Sequence, residues 1–249
     1  MKHRISVVIP CYFNEENIPV TTAALIRNED LFSPDVRFEY VFVDDGSEDG
    51  TLHRLKEFKQ QHPSRVTIVK LASNVGSYNA IYAGLRYASG DCIVVMAADL
   101  QDPPELMRRM YDEWKTGVQV VLASRETESG VLAAVFHWVL RKVALPNLPS
   151  GGFDYCLFDK AAKDRLLQRM QPDIISLFLL LAMGFKCTVF PYRKRVREIG
   201  SSRWTTSKKV KLAWNTLCWF SLHPDPMADH FSQGAQTKPS PPYVIEAVF

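Results

Sequence analysis

Two short strings concentrate the residues best suited to chemistry. The first, Asp44-Asp45-Gly46-Ser47-Glu48-Asp49-Gly50-Thr51, directly follows an apolar run. Gly46 permits a tight turn, and Ser47 or Asp49 can cap the helix that follows. The string can be plain turn chemistry. It can equally hold a carboxylate at a strand end, ready to accept hydrogen bonds from a base or a ribose. The second string is Ala97-Ala98-Asp99-Leu100-Gln101-Asp102-Pro103-Pro104. Asp99 and Gln101 alternate at the end of a strand, so both side chains are expected to project toward one site. Oxygen ligands of that kind suit Mg²⁺ or Mn²⁺, and such a cation would also hold a diphosphate. Asp102 is expected to cap the helix opened by Pro103 and Pro104.

Other devices are missing from the sequence. There is no Walker-type Gly-Lys loop and no G-x-G-x-x-G, which makes phosphate cradling by those loops unexpected. There is no G-x-S-x-G and no H-E-x-x-H. The six histidines are scattered. Five widely spaced cysteines with no C-x-x-C pair read as reduced core thiols of a cytoplasmic protein.

The elements that must position these strings follow from the hydropathy pattern. Apolar runs at Ile5–Pro10, Tyr40–Val43, Val66–Leu71, Cys92–Ala98 and Val118–Ala123 predict buried strands. Between them lie helical patterns over about 15–27, 47–61, 78–88 and 103–116. Strands that alternate with helices and are apolar on both faces predict an α/β fold, with a mostly parallel sheet covered on both sides. Such sheets bind ligands beyond the carboxyl ends of their strands. The polar clusters Tyr12–Glu16, Asp44–Ser47 and Asp99–Asp102, together with Arg125, fall at those ends. The second half is less regular. Helices are predicted over 131–145, 160–170, 174–183 and 208–220, and strands over 153–158 and 187–192.

The chain has 249 residues, with 30 Lys+Arg against 27 Asp+Glu and 47% hydrophobic residues, as expected of a globular protein. No run reaches the length of a membrane-spanning helix, and no secretory leader is visible. The charge is concentrated. Residues 186–211 carry nine basic residues and one acid, while the remainder is net negative. Such a segment is either a solvated face or a surface that meets an anion; the acidity of the rest argues against nucleic acid. Residues 1–223 are expected to form one domain, divided near residue 125 into a regular half, 1–125, and a less regular half, 126–223. Five of the fifteen prolines lie in 224–249, and that tail is expected to be disordered.

Read together, these pieces resemble the family 2 glycosyltransferases of the GT-A fold, in particular the dolichol-phosphate mannose synthase and bacterial polyprenyl-phosphate glycosyltransferase branch. The matching strings are Val7 to Asn17, Asp44 to Thr51, Asn74-Val75-Gly76 with Asn79-Ala80 and Gly84, Ala98 to Glu105, Ala123-Ser124-Arg125, and Gly200-Ser201-Ser202-Arg203-Trp204. The resemblance implies a nucleotide-diphosphate sugar as donor, with 1–125 as the nucleotide-sugar-binding half and 126–223 as the acceptor half. Tyr12, Glu15, Asp44 and Asp45 would hold the nucleoside, with Pro10, Val43 and Ala98 beside it. Asp99 and Gln101 would hold Mg²⁺ or Mn²⁺ on the diphosphate. Arg125 and Arg203 would face donor or acceptor phosphates, Arg141 would assist, and Asp154 would orient the acceptor or the sugar. The implied acceptor is a polyprenyl phosphate, for cell-surface glycan or lipopolysaccharide synthesis. The implied location is the cytoplasmic face of a membrane, and the basic charge and tryptophans of the last third of the domain predict peripheral binding to anionic lipid through Arg193–Phe220.

Three positions depart from the family pattern. Ala97 stands where Asp is usual, Phe13 is an extra residue between Tyr12 and Asn14, and Arg203 replaces the more frequent Lys. The extra residue leaves Glu15 and Glu16 as alternatives for one contact. The bacterial branch often continues into two transmembrane helices, but the resemblance here stops near Pro224. Two other functions remain open: transfer to a glycan hydroxyl, and nucleotide-sugar binding without catalysis.

Overall fold

The computed structural model describes residues 2–126, 130–169, 171–197, 199, 205–223 and 241–249. In chain order the elements are β1 (His3–Cys11), α1 (Asn17–Glu29), β2 (Val36–Asp44), α2 (Thr51–Gln61), β3 (Val66–Leu71), α3 (Ser77–Leu85), β4 (Cys92–Val95), α4 (Leu106–Lys115), β5 (Val120–Arg125) and α5 (Val131–Val143). They continue with β6 (Phe153–Asp159), α6 (Lys160–Arg169), a 3-10 turn at Ser176–Phe178, α7 (Leu179–Ala182), β7 (Cys187–Tyr192), α8 (Thr206–Leu222) and β8 (Ile245–Val248).

One eight-stranded sheet runs in the order β7-β5-β6-β4-β1-β2-β3-β8. β1 pairs in parallel with both β2 and β4, and β2 pairs in parallel with β3. The central strands carry Val, Ile, Tyr and Phe on both faces, and Ile5, Val7, Val8, Ile9, Tyr40 to Val43 and Cys92 to Val94 are fully buried. One core lies on each side of the sheet. Val8, Val41, Val43 and Val69 pack on one side with Ala80 and Ala83, while Ile9, Tyr40, Phe42 and Leu55 pack on the other with Met107 and Met110. This is the doubly covered sheet that the apolar runs predict.

β6 is antiparallel to both of its neighbours, β4 and β5. β5 therefore regains the direction of β4, and β7 follows β5 in parallel. As a result β1 to β5 and β7 all end on one edge of the sheet, and β6 begins there. This reversal is what carries Asp154 to the same edge as Asp44, Asp99 and Arg125.

Three expectations change at this level. β4 stops at Val95 rather than Ala98, because the chain leaves the sheet after its pairing with Cys156. The apolar stretch 174–183 forms a 3-10 turn and one short helix rather than a single helix. The end of the expected disordered tail is ordered: β8 pairs antiparallel with β3 along Val69–Leu71, Glu246 bonds Lys70 at 2.7 Å, and Tyr243 is buried. The β3 edge would otherwise leave backbone N–H and C=O groups unpaired, which a short strand satisfies. Residues 224–240 lie outside the described residues. Among the described residues no helix is long and apolar enough to cross a membrane.

Candidate active site

Both sequence strings arrive at the common edge, but each is built differently from its expected form. Asp44 closes β2 and is fully buried. Its Oδ1 accepts the Ser47 N–H at 3.1 Å, and its Oδ2 has no hydrogen-bond partner among the described residues. Burial raises its carboxyl above the ordinary range. A buried acceptor oxygen without a donor is costly, which makes it a natural place for a ligand N–H or O–H.

Asp45 has a different task. Its Oδ1 accepts from Val75 N at 2.8 Å, and its Oδ2 accepts from Gly76 N at 3.0 Å and Asn74 Nδ2 at 2.9 Å. The expected nucleoside contact is thus already committed to tying down the 74–76 loop. Burial pushes this carboxyl up to about 6 despite those bonds. Gly46 sits at φ +68°, and a Cβ there would strike the Ser73–Asn74 backbone. Glycine therefore lets the two loops touch.

The first motif is held to the same turn. Phe13, the extra residue, is accommodated at φ +53° with its N–H donated to Ser47 Oγ at 3.1 Å. Tyr12 is half-buried beside it, ring centroids 4.7 Å apart. The Glu15 Oε2 accepts Gly50 N at 3.0 Å, so Glu15 serves the start of α2. Asp49 accepts from Thr51 N at 3.1 Å at the start of α2, but the N-cap is Gly50, so neither Ser47 nor Asp49 holds the expected cap position. Pro10 is half-buried. Val43 is fully buried, and its side chain faces Gly84 of α3. Its expected place beside a nucleoside is corrected: the pleat turns it toward the helix layer.

The second string is a turn, not a strand extension. Leu100 adopts φ +53°, and Gln101 N donates to Asp99 Oδ1 at 3.2 Å. Asp99 and Gln101 still share one edge, but through this turn rather than through strand alternation. Ala98 is buried, and its carbonyl accepts from Thr21 Oγ1 at 2.8 Å. Asp102 does not cap a helix, since α4 starts only at Leu106. It is fully buried, accepts from Tyr192 OH at 2.5 Å and has Lys194 Nζ 4.0 Å away. Burial raises its carboxyl in spite of Lys194 and Tyr192.

On the other flank Arg125 pairs with Asp154 Oδ2, and Tyr78 OH donates to Asp154 Oδ1 at 2.8 Å. Burial works to lower the Arg125 pKa, but Asp154 and its neighbours raise it overall, so the guanidinium stays charged. Beside Arg125 opens a cavity of about 460 Å³ lined by Ser124, Glu126, Asn147, Pro149 and Ser150. Arg141 lies half-buried on α5. Arg203 and the rest of the 200–204 string lie outside the described residues.

Two contributors escaped the sequence reading. Tyr78 is a helix residue with no motif of its own. Arg197 donates to Asp99 Oδ2 at 2.6 Å across 98 residues. No local pattern announces a pair so far apart in the chain. The donor set for a divalent cation is thin: one carboxylate, one amide oxygen and Ala97 where a second carboxylate would stand. Among the described residues no cluster of three His, Cys, Asp or Glu exists. This suits Mg²⁺ or Mn²⁺, which are often held by one or two carboxylates plus substrate phosphates.

A profile of the glycosyl transferase family 2 matches residues 6–142. The chain belongs to that family. A glycosyltransferase of Bacillus subtilis, YkcC, is 33% identical over 231 residues, covering 90% of this chain and 71% of its own. A bactoprenol glucosyl transferase of Shigella phage SfX is 28% identical over 227 residues, covering 89% of this chain and 73% of its own. Among solved structures, glucosyl-3-phosphoglycerate synthase of Mycobacterium tuberculosis, in complex with Mn²⁺, UDP and phosphoglyceric acid, superposes with a TM-score of 0.62. It shares 19% identity, over 90% of this chain and 79% of that one. A Pyrobaculum calidifontis mannosyltransferase, in complex with GDP-Man and Mn²⁺, gives a TM-score of 0.56 at 22% identity, over 77% of this chain and 55% of that one. These structural likenesses establish the GT-A-like fold of the transferase.

Proposed function

We propose that this family 2 glycosyltransferase moves a sugar from a nucleotide-diphosphate donor to a polyprenyl-phosphate lipid with inversion, at the cytoplasmic face of a membrane. The observation that carries the acceptor class is the pair of helices α5 and α8 with their exposed apolar side chains. On α5, Val131, Leu132, Val135 and Trp138 are exposed, Trp138 at 56%. On α8, Val210, Trp214 and Leu222 are exposed, Trp214 at 66%, close in sequence to Lys208, Lys209 and Lys211. The two helices touch each other. Aromatic rings favour the headgroup level, and each basic residue near anionic lipid contributes ~1 kcal/mol. The α5 face extends the membrane surface expected from Arg193–Phe220 alone. The bactoprenol names of the relatives support the same acceptor.

The chemistry assigned to the chain is modest. Asp44 Oδ2 accepts from the base or ribose, and Asp45 fixes the loop beside it. Asp99 and Gln101 would hold Mg²⁺ or Mn²⁺, which when bound would neutralise the donor diphosphate as it leaves. Arg125, oriented by Asp154, and Arg203 face phosphate. A phosphate acceptor is already anionic at neutral pH, so one of its oxygens can displace the nucleoside diphosphate in a single inverting step without a strong general base. Charge stabilisation then carries most of the rate.

Calorimetry with UDP-sugars and GDP-mannose, each with and without Mn²⁺, tests the donor half. Binding of one nucleotide sugar is expected. Its absence for every donor would remove this reading.

A further inference from the structure

After β7 the chain crosses directly over the Asp99 turn, clipped to it step by step. Tyr192 OH donates to Asp102, and Arg195 N donates to Gln101 O at 2.9 Å. Gln101 Nε2 returns a bond to Arg195 O at 3.2 Å, and Arg195 Nη2 meets Glu105 at 3.0 Å. At the end of this strap, Arg197 Nη2 reaches Asp99 Oδ2 at 2.6 Å. Asn17 Nδ2 then holds Ile199 O at 3.5 Å. The Asp99 side chain is only 8% exposed in this arrangement. A carboxylate so enclosed needs a counter-charge. With Ala97 in place of a second acid, the charge of the one remaining carboxylate is already matched by one guanidinium.

A divalent cation on Asp99 would stand within a few ångströms of that guanidinium and compete for the same oxygens. Their repulsion in a partly enclosed site is strong. We propose that Arg197 is a resident counter-ion of Asp99, which Mg²⁺ or Mn²⁺ must displace before it can bind. Metal occupancy and the Arg197–Asp99 pair are then mutually exclusive. This inference rests on the assignment of Asp99 as the metal carboxylate. It gives the strap a definite role: the protein without donor keeps its metal site neutral and closed, and a metal that enters frees Arg197. The Arg195–Gln101 backbone pairing does not involve the Asp99 carboxylate and can persist, so the change is confined to the last residues of the strap.

The test needs neither donor nor acceptor. Mn²⁺ binding to the full chain is followed by loss of the free-ion paramagnetic resonance signal, for the parent and for Arg197→Gln, Arg197→Lys, Arg193→Gln and Asp99→Asn. Arg193→Gln removes an equal charge from a strongly exposed ion pair with Glu126 and controls for net charge. Arg197→Gln should tighten Mn²⁺ binding by about tenfold or more, as expected for losing a charge-assisted competitor. Arg193→Gln should shift it less than about twofold. Arg197→Lys, which keeps a cation in place, should stay near the parent. Thermal melts identify any variant that is not folded, and Arg197→Met, which also removes the charge but keeps much of the apolar stem, takes the place of Arg197→Gln if Gln is not tolerated. Unchanged or weaker Mn²⁺ binding in folded Arg197→Gln, with binding lost in Asp99→Asn, overturns the competition but leaves Asp99 as the ligand. Binding that survives Asp99→Asn overturns both.

Discussion

Replacing Asp45 with Ala separates local from global stability in this fold. Asp45 is 2% exposed and supports Asn74, Val75 and Gly76 through three hydrogen bonds. Its carboxyl is pushed to about 6 by burial, about two units above the usual value. At about 1.4 kcal/mol per unit, the folded protein disfavours the charged carboxylate, relative to the protonated one, by about 3 kcal/mol more than water does. Removing the charge relieves that cost while three bonds of about 1 kcal/mol net each disappear. The two effects nearly cancel for the whole chain, so global stability at pH 7 should move by less than about 2 kcal/mol. The loop gets no such compensation. Losing about 3 kcal/mol of anchoring should accelerate amide exchange at Val75 and Gly76 roughly 100-fold. Nucleotide affinity should drop with it by at least about tenfold, since the loop lies against the Asp44 turn. The pH dependence has a definite sign. A carboxyl raised in the folded state favours folding when protonated, so its contribution is full below about 4 and is lost as pH rises through about 6. Asp45→Asn, which cannot titrate, should lack this decline. Exchange mass spectrometry of the 72–78 peptide with parallel denaturation at pH 4 and 7 reads all of this. Unchanged exchange at Val75 and Gly76, or a collapse of global stability, would refute the reasoning.

Other outcomes follow from the same geometry. Asp99→Ala should abolish metal-dependent donor binding, measured by calorimetry with and without Mn²⁺; retained metal dependence would remove Asp99 from the metal site. Removing residues 241–249 uncovers the β3 edge and the Tyr82–Tyr243 ring contact at 5.9 Å. It should lower the melting temperature by several degrees, at about 1–3 kcal/mol, and raise concentration-dependent association in light scattering. Lys208, Lys209 and Lys211 changed together to Glu should end co-flotation with anionic vesicles, and Trp138→Ser with Trp214→Ser should weaken it at any salt. Flotation that ignores lipid charge would leave α5 and α8 without a membrane role.

How much could be read in the sequence varied with the range of the interactions. β3 and β7 have the bounds expected from their apolar runs; in β3 local pattern and burial agree, whereas β7 is a largely exposed edge strand paired with β5. The helix after Pro103-Pro104 starts three residues later than expected, since the residues before Leu106 form turns and Asp102 is drawn inward to Tyr192. β8 was invisible because Ile245–Val248 is short, follows a Pro-rich stretch and pairs with a strand about 175 residues earlier. At the site, the two strings that the residue types single out do meet at one edge of the sheet. What sequence could not assign was the task of each carboxylate. Asp45 and Glu15 look like ligand-binding acids but brace loops, and Asp102 looks like a cap but is buried. Which oxygens remain available depends on tertiary partners such as Val75, Gly50 and Arg197.

The central claim is the acceptor. The full chain in detergent, with radiolabelled nucleotide sugars and a polyprenyl phosphate, should carry label into the organic phase. The product should have a sugar–phosphate linkage of anomeric configuration opposite to that of the donor. A donor that binds but gives no lipid-linked sugar, or that labels only a glycan hydroxyl, would contradict the account.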